Sequence, residues 1–472
     1  MNKVQKSKAW VILNYLGIPV LCIFVSLYVF FGNQREEYNL MFLLPIAFLL
    51  CYELFLKNSF KSFTFFSISY TLVSLVRFVF LPLLIVLGGR YDGRSATTPS
   101  EGSFVLAFVL MIIELFICSL LIWVLARKLR NSNKDENEKK IKLPKQWTAY
   151  TIFVLVAIIM LIAKPELLSA FSFITPHDDL LNYNDFDVFS QIAILCLNVA
   201  KNLVALMSLV YCYKRYSNQN RLLWVALSFI IISLNSSVYF GTNRFDFVLN
   251  LAASTTVFCI LYRKYWKVIA TIMSVLCLVG FVSISQARSL RGAINNDNEY
   301  FQIADLTQMY FGGPYNVAIA IETAEAYPEG RTLKTAFYDC TRSVLGLNVI
   351  VRNVKGVELS SHYYNRRIFN SSHSTQIIPM IGEGYYLFGI LFAPIFDVMF
   401  ILLAYLLTKQ KNKVSIEIWY FFVLSLMRLG FINCQSATIQ LNDLSFNLFM
   451  PLILYFINNL FQRTSNKKER EI

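Results

Sequence analysis

Long apolar blocks separated by shorter polar stretches run along nearly the whole chain. One early block, WVILNYLGIPVLCIFVSLYVFF, extends from Trp10 to Phe31 and is long enough to cross about 30 Å of hydrocarbon as a helix. It is too long for a removable signal peptide and has no small-residue cleavage site. Membrane β-barrels show alternation of apolar and polar residues rather than solid blocks. The pattern therefore predicts an all-α, polytopic membrane protein.

About twelve such segments are present, and one polar stretch between them is much longer than the rest. That stretch, residues 287–385, predicts one large loop between the ninth and tenth helices. We expect a bundle of nine helices over 1–286, then the loop, then three helices and a tail over 386–472. The predicted helices are 10–32, 38–57, 63–88, 104–126, 147–163, 190–213, 222–240, 245–262, 268–286, 386–408, 416–434 and 444–461.

The basic residues predict the orientation of this bundle. With the N-terminus in the cytoplasm, the cytoplasmic segments hold 26 Lys and Arg residues and the short outer loops hold only 5. Both termini are therefore expected inside, and the loop 287–385 is expected outside. The net charge of +14 follows largely from this topology, so nucleic-acid binding is a poor interpretation of it.

The large loop has an uneven charge distribution. Residues 292–330 hold six acids and no base, whereas residues 331–367 hold seven bases and two acids. Across the whole loop there are seven arginines and two lysines, and the planar fork of arginine suits phosphate. The two halves are either mutually neutralising lobes of a folded lid or the surroundings of an anion site.

Two groups of ionisable residues are candidates for chemistry. His373 and Glu383 lie ten residues apart before the tenth helix and are candidate acid–base groups. A second group lies within the apolar segments, where each charge costs about 2.5–3.5 kcal/mol at the helix centre and must face a partner or a cavity. These residues, which predict either ion pairs or a wet cavity, are Arg77, Lys201, Arg428, Glu53, Glu114 and Asp397.

Other motifs narrow the range of functions. The chain has no GxxxxGK[ST], HExxH or GxSxG pattern, which excludes the usual ATPase, zincin and hydrolase signatures. Asp185 and Asp187 form a DxD-like pair that could hold a metal against a phosphate. The nine cysteines show no metal spacing, and we expect Cys340 and Cys434 to be free thiols rather than a disulfide.

Three stretches resemble a known family. The turn FGTNRFDFVLNL, the arginine pair in SQARSLRG and the helix entry IPMIGEGYYLFGILFAPIF are similar to features of bacterial oligosaccharide repeat-unit polymerases, the O-antigen polymerase or Wzy type. The likeness covers roughly residues 240–400 in sequence and the rest in topology alone. Some members carry an Arg and a Gly eleven residues apart in outer loops, but here only Arg77 and Gly88, within an apolar segment, have that spacing.

The resemblance implies a metal-independent membrane glycosyltransferase with a GT-C-like architecture and no cofactor. It would join undecaprenyl-pyrophosphate-linked repeat units into a surface polysaccharide at the outer face of the cytoplasmic membrane. A flippase and a chain-length regulator are the implied partners. Arginines would stabilise charge on the leaving pyrophosphate, and a base would activate the sugar hydroxyl. The expected base is His373 or Glu383, and the expected phosphate ligands are Arg244, Arg288 and Arg291, with Arg342, Arg366, Arg367 and Arg428 as further candidates.

Three alternatives remain open from the residues themselves. A flippase or another transporter would use the charges within the apolar segments to line a cavity. A different lipid-phosphate glycosyltransferase, including an O-antigen ligase, would use similar arginines, and a metal-dependent one would need Asp185 and Asp187. The chain could also be a non-catalytic partner in polysaccharide assembly.

Overall fold

The computed structural model describes residues 16–93, 95, 97–132, 142–144, 146–173, 186–241, 244–289, 299–351, 354, 356–370, 376–411 and 413–471. This part of the chain is helical apart from one two-stranded ribbon, so the predicted all-α class is confirmed. Six of its helices are long and apolar enough to cross a membrane: Glu36–Ser59, Thr64–Gly88, Glu101–Asn131, Phe189–Gln219, Ile390–Gln410 and Ala437–Gln462.

Each of the twelve predicted segments contains described helix, while the number of twelve spans stays a prediction. The described helices are α1 Ile18–Gly32, α2 Leu43–Cys51, α3 Lys57–Ser59, α4 Thr64–Leu75, α5 Leu81–Gly88, α6 Glu101–Ser132, α7 Thr148–Ala163, α8 Val188–Gln219, α9 Leu222–Ser237, α10 Arg244–Leu261, α11 Trp266–Ser289, α12 Glu299–Phe311, α13 Pro314–Ala326, α14 Leu333–Thr341, α15 Leu347–Val351, α16 Ser360–Phe369, α17 Met380–Phe388, α18 Ile395–Gln410, α19 Ile416–Leu429, α20 Ala437–Leu444 and α21 Met450–Glu471.

The chain divides into two compact units. The first consists of residues 1–137, 295–409 and 426–442, and the second of residues 138–294, 410–425 and 443–472. Each unit is built from separate parts of the sequence, so neither coincides with the three consecutive domains that the sequence suggested.

A π-helical turn interrupts the second long span of the first unit. Val76–Phe80 forms this turn between α4 and α5, and Arg77 lies on it. Pro82, near the start of α5, has no N–H to donate to the preceding turn, which explains why regular α-helix is difficult to continue here. Such π turns are frequent at functional sites because they widen the helix and reorient a side chain.

The helices α12 and α13 form a hairpin that packs beside this span. A Cβ at Gly88, the end of α5, would lie 2.8 Å from the backbone of Tyr300, near the start of α12. At the other end of α12, Arg77 Nε donates to the carbonyl of Gly312 at 3.0 Å. Arg77 lies near the middle of the span Thr64–Gly88, so α12 descends along the half of the span that ends at Gly88.

The hairpin turns at Gly312 and returns to the side from which it came. Gly312 has φ of +59°, which favours glycine, and Pro314 begins α13. Near the far end of α13, Glu322 accepts a hydrogen bond from the backbone N–H of Ser100 at 2.7 Å. Gly88 and Ser100 lie at the two ends of one short connection, so both ends of the hairpin lie on the same side of the spans.

This packing changes the view of the predicted outer loop. Nearly every residue of α13 from Pro314 to Ala324 is buried, including the small residues Ala318 and Ala320, which allow close helix approach. The sequence suggested a lid lying wholly outside the bundle. In the structure, the first part of the loop packs against the spans because it contains enough small and apolar side chains to do so.

The second unit contains α7 to α11 and the ribbon. Strands β1 Phe171–Phe173 and β2 Val238–Phe240 pair antiparallel, with Ser172 opposite Tyr239. The ribbon lies immediately before the turn that leads into α10, and the Gly241 N–H donates to the carbonyl of Ala170 at 2.9 Å. The backbone on this side of the Arg244 turn is therefore held by strand pairing.

Candidate functional site

A polar cleft lies in the first unit between the α12–α13 hairpin and the connection that follows α5. Tyr315 packs so closely over Gly93 that a Cβ there would lie 2.4 Å from its ring. The free volume is about 10 Å³, which is close to what one water molecule needs. The side chains and backbone around it come from Gly93, Ser95, Asp305, Gln308, Met309, Tyr315, Asn316, Ile368 and Gln376.

Gln308 is the most unusual residue of this cleft. Its side chain is 2% exposed, and neither the amide oxygen nor the amide nitrogen has a hydrogen-bond partner in the described part of the chain. Its backbone carbonyl, by contrast, accepts from Asn316 Nδ2 at 2.9 Å and from the Gly313 N–H at 3.1 Å. A buried polar group without a partner costs about 1–3 kcal/mol. The free amide therefore points to a missing hydrogen-bonding partner in the cleft.

Two arginines lie next to the cleft. Arg90 stacks over the ring of Phe301 at 4.7 Å and lies 3.6 Å from the Asp305 carboxylate. Arg367 contacts both Glu322 and the hydroxyl of Thr97, and it directly precedes the lining residue Ile368. The Arg367–Glu322 pair joins the basic half of the predicted loop to its acidic half, as the interpretation of mutually neutralising lobes expects.

A second polar group lies deeper, beside the tip of the hairpin. Arg77 Nη1 lies 2.7 Å from Glu114 Oε2, and both side chains are fully buried. Asp397 is also fully buried, and neither of its oxygens has a hydrogen-bond partner among the described residues. One of the predicted ion pairs within the apolar segments is therefore present, and it leaves a second carboxyl nearby without a partner of its own.

Two other charges within the apolar segments, Lys201 and Glu53, are satisfied locally. Lys201 Nζ donates to the carbonyl of Asn235 at 3.0 Å and to that of Val238, at the C-terminal end of α9. Glu53 pairs with Lys57 at 2.7 Å, one turn along the same helix. These contacts indicate structural roles for Lys201 and Glu53, because each charged group has a hydrogen-bonding or charged partner close by.

Glu383 is fully buried and holds other elements in place. Its Oε2 accepts from the Ala437 N–H at 2.6 Å, which caps the start of α20, and its Oε1 accepts from Ser360 Oγ at 3.1 Å. Asp339, also fully buried, accepts from the Ser360 N–H at 3.1 Å. Burial raises the pKa of Glu383, and the neighbouring Asp339 carboxyl raises that pKa further. Burial likewise raises the pKa of Asp339.

The described arginines of the expected phosphate site are spread over the first unit. Arg366 pairs with Glu358 at 2.8 Å, with both side chains substantially exposed. Arg342 follows the end of α14 and forms no ion pair with an acid of the described residues. Arg428 is buried near the end of α19, with 8% of its surface exposed. Among the expected arginines whose side chains are described, the structure brings only Arg367 to the edge of the polar cleft.

Other expected site residues fall outside what the structure describes. His373 and Arg291 are outside the described residues. Arg244 and Arg288 lie in the described helices α10 and α11, but their side chains are outside the described part. The phosphate site of Arg244, Arg288 and Arg291 and the acid–base role of His373 therefore stay predictions.

The structure describes one residue of the DxD-like pair, Asp187. Asp187 caps α8 and accepts from Lys164 Nζ at 2.8 Å; the hydrogen bonds from Lys164 and Ser190 lower its pKa to about 2. Asp185 lies outside the described residues, so the metal interpretation of the pair stays a prediction.

The two outer cysteines were expected to be free thiols rather than a disulfide. Cys340 and Cys434 are both free thiols, which confirms that expectation.

Sequence reasoning missed the residues of the polar cleft. Asp305, Gln308, Asn316 and Gln376 belong to residue types that are common on any surface, so nothing distinguished them individually. The signal that could have found two of them is QMYFGGPYN, in which a Gly-Gly-Pro turn separates Gln308 from Asn316. Such a turn between two helices brings the side chains on either side of it close together.

Comparisons with known proteins add no assignment. The chain matches no protein-family model, no curated protein and no solved structure. The function is therefore inferred from the residues and their geometry.

Proposed function

We propose that this protein joins lipid-linked oligosaccharide repeat units into a surface polysaccharide at the outer face of the cytoplasmic membrane. Within this proposal the chain has about twelve spans, with both termini in the cytoplasm. The carrier is undecaprenyl pyrophosphate, and the cleft beside the α12–α13 hairpin receives part of the glycan.

The chemistry of the cleft supports sugar binding. Amide and carboxylate side chains form hydrogen bonds with sugar hydroxyls in both directions, since an amide donates and accepts. Gln308, Asn316 and Gln376 supply the amides, and Asp305 supplies the carboxylate. The observation that carries the proposal is the buried Gln308 amide, whose two polar ends lack partners in the described residues.

The nearby arginines support the phosphate part of the proposal. Arg90 and Arg367 are bound to Asp305 and Glu322, respectively. A pyrophosphate approaching the hairpin would compete with these carboxylates for guanidinium groups that favour bidentate phosphate contacts. In this mechanism, Arg244, Arg288 and Arg291 complete the grip on the pyrophosphate, and charge develops there as the glycosidic bond breaks.

The candidates for the base of the reaction are Glu383 and His373. The contacts of Glu383 are those of a helix cap, which supports a positioning role for it. His373 is then the preferred candidate for accepting the proton of the attacking sugar hydroxyl.

The cleft must widen to admit a sugar ring. Its free volume suits about one water molecule, so binding requires the hairpin to separate from the connection that contains Gly93 and Ser95. Movement of a loop or hairpin during substrate binding is common and completes many active sites.

The experiment is a chain-lengthening assay with the purified full chain and a single lipid-linked repeat unit. We expect a ladder of products that survives a chelator. Gln308→Ala should lower kcat/KM by about five- to tenfold, since one hydrogen bond to a sugar is worth about 1–1.5 kcal/mol. The matched control is Gln302→Ala, which removes the same side chain from an exposed position on the same helix.

The outcomes separate the candidate functions. No lengthening by a folded parent protein would reject the polymerase, and equal loss in Gln302→Ala and Gln308→Ala would reject the cleft. A ladder that a chelator abolishes would instead favour metal chemistry at Asp185 and Asp187. Transfer to a different acceptor without lengthening would favour a ligase.

A lipid-linked oligosaccharide flippase is the second candidate. The favouring observation is the fully buried group of Arg77, Glu114 and Asp397 beside the hairpin tip. Charged residues within membrane segments often mark a transport pathway. Movement of a labelled lipid-linked repeat unit across reconstituted vesicles, without lengthening, would support this candidate.

A further inference from the structure

The helix α14 has one buried face and one exposed apolar face. Thr335, Ala336 and Asp339 point inwards, whereas Leu333 is 79% exposed and Phe337 is 63% exposed. The next segment adds three more exposed side chains, with Leu347 at 43%, Ile350 at 74% and Val354 at 48%. We call these five exposed residues the apolar patch. Clustered apolar surface of this kind usually marks an interaction site.

Three residues of the patch, Leu333, Phe337 and Val354, line an open groove. The groove has a volume of about 300 Å³ and is lined by Leu333, Lys334, Phe337, Tyr338, Val351, Val354 and Val357. All but one of these residues present apolar or aromatic surface, and the exception is Lys334. Such a shape suits an extended hydrocarbon chain with a negative charge at the end near the lysine.

The position of α14 places the patch at a membrane boundary. Thr438 Oγ1 donates to the carbonyl of Asp339 at 3.2 Å. Thr438 is the second residue of the apolar span Ala437–Gln462. Asn433, four residues before this span, donates to Ser74 Oγ at 3.4 Å near the middle of the span Thr64–Gly88, so the Asp339 end of α14 reaches below the headgroups. The Leu333 end of α14 follows α13, whose Glu322 accepts from the Ser100 N–H directly before the span Glu101–Asn131. A span begins where hydrocarbon meets the headgroups, so the Leu333 end lies near that level.

The charges around the patch match a phosphate lipid. Lys334 is exposed, and Arg342, just past the end of α14, has no ion pair with a described acid. The acid of α14, Asp339, is buried and held by the Ser360 N–H, so it does not face the patch. Apolar side chains bordered by Lys or Arg are typical of helices that lie in the headgroup region.

We propose that the apolar patch docks in the outer leaflet of the bilayer, with one acyl chain of an anionic phospholipid in the groove and its phosphate near Lys334. The helices α14 and α15, together with Val354, are then an interfacial foot of the protein. It holds the outer side of the first unit at a fixed depth. This surface is separate from the polar cleft and does not depend on the proposed reaction.

The test uses the full chain in nanodiscs of phosphatidylcholine and phosphatidylglycerol. Phe337→Trp adds a tryptophan to the six native ones, and its emission is the difference from the parent protein. We expect lipids brominated on the acyl chains to quench most of this added emission. The matched control is Glu325→Trp, an exposed acidic position on α13, whose added emission should be largely retained.

A second measurement tests the charge. Native mass spectrometry should show that the parent retains phosphatidylglycerol in preference to phosphatidylcholine, and that Lys334→Glu loses this preference several-fold. Equal quenching in Phe337→Trp and Glu325→Trp would overturn the proposal. So would displacement of phospholipid from the groove by an equal mole fraction of polyprenyl phosphate. If Phe337→Trp does not fold, Ile350→Trp provides the same measurement.

Discussion

The two units differ in the partners of a buried cation. In the first unit, Arg77 meets Glu114 and the carbonyl at the hairpin tip, and Asp397 remains nearby without a hydrogen-bond partner among the described residues. In the second unit, the partners of Lys201 among the described residues are backbone carbonyls at the end of α9. Helix C-terminal carbonyls attract cations, so Lys201 is satisfied by a structural element that any helix can supply.

This difference shows where function is concentrated. The carbonyls at the end of α9 satisfy the Lys201 ammonium without another ionised group, so stability alone explains this contact. The first unit instead gathers two carboxyls around one guanidinium and places a hairpin against them. An arrangement that costs stability and has a simpler alternative is a better candidate for function.

The largest expected effect concerns the buried pair of the first unit. Arg77→Ala should lower the free energy of unfolding by about 3–5 kcal/mol, because it leaves the Glu114 carboxyl buried without its partner. The double variant Arg77→Met with Glu114→Gln should recover much of this loss, since neither residue then carries a charge. Melting of the purified protein in one detergent measures both. A double variant no more stable than Arg77→Ala would contradict the pairing.

A smaller effect is expected in the second unit. Lys201→Met should lower the free energy of unfolding by about 1–3 kcal/mol, because two buried carbonyls lose a donor but no opposite charge is left unpaired. The same melting measurement applies. A loss as large as that of Arg77→Ala would mean that Lys201 has an ionic partner, and it would remove the contrast between the units.

The smallest effect concerns pH. The native state holds a proton on Glu383 more tightly than the unfolded chain does, because its pKa is raised. Stability should therefore be highest at low pH and fall as pH rises above about 4.3, the ordinary Glu pKa, until the native carboxyl has lost its proton. Glu383→Gln should reduce this slope, while Asp339, whose pKa is also raised, retains part of it.

The control for the pH experiment is Glu325→Gln, at an exposed acidic position of α13. This variant should keep the slope of the parent protein when melting is followed from pH 4 to pH 9. An unchanged slope in Glu383→Gln would show that the buried carboxyl does not titrate in this range.

Much of the candidate site was beyond prediction from sequence because it depends on long-range contacts. Arg77 and Glu114 were both recognised as charges within apolar segments, yet each had three oppositely charged residues of that group as possible partners. Gln308 carried no signal of its own, since its unusual burial follows from how α12 packs against α5. The role of Glu383 as a helix cap likewise depends on Ala437, 54 residues later in the chain.

The sequence by itself determined the helical class, the approximate helix positions and the expected orientation, because apolar runs and basic flanks are local properties that a bilayer reads directly. Only the tertiary structure decided that the first part of the long polar stretch packs as a hairpin beside the spans. It also decided which buried charges meet and which amide is left without a partner. Those outcomes depend on the shape complementarity of segments more than 200 residues apart, such as Arg77 and Gly312, which are separated by 235 positions.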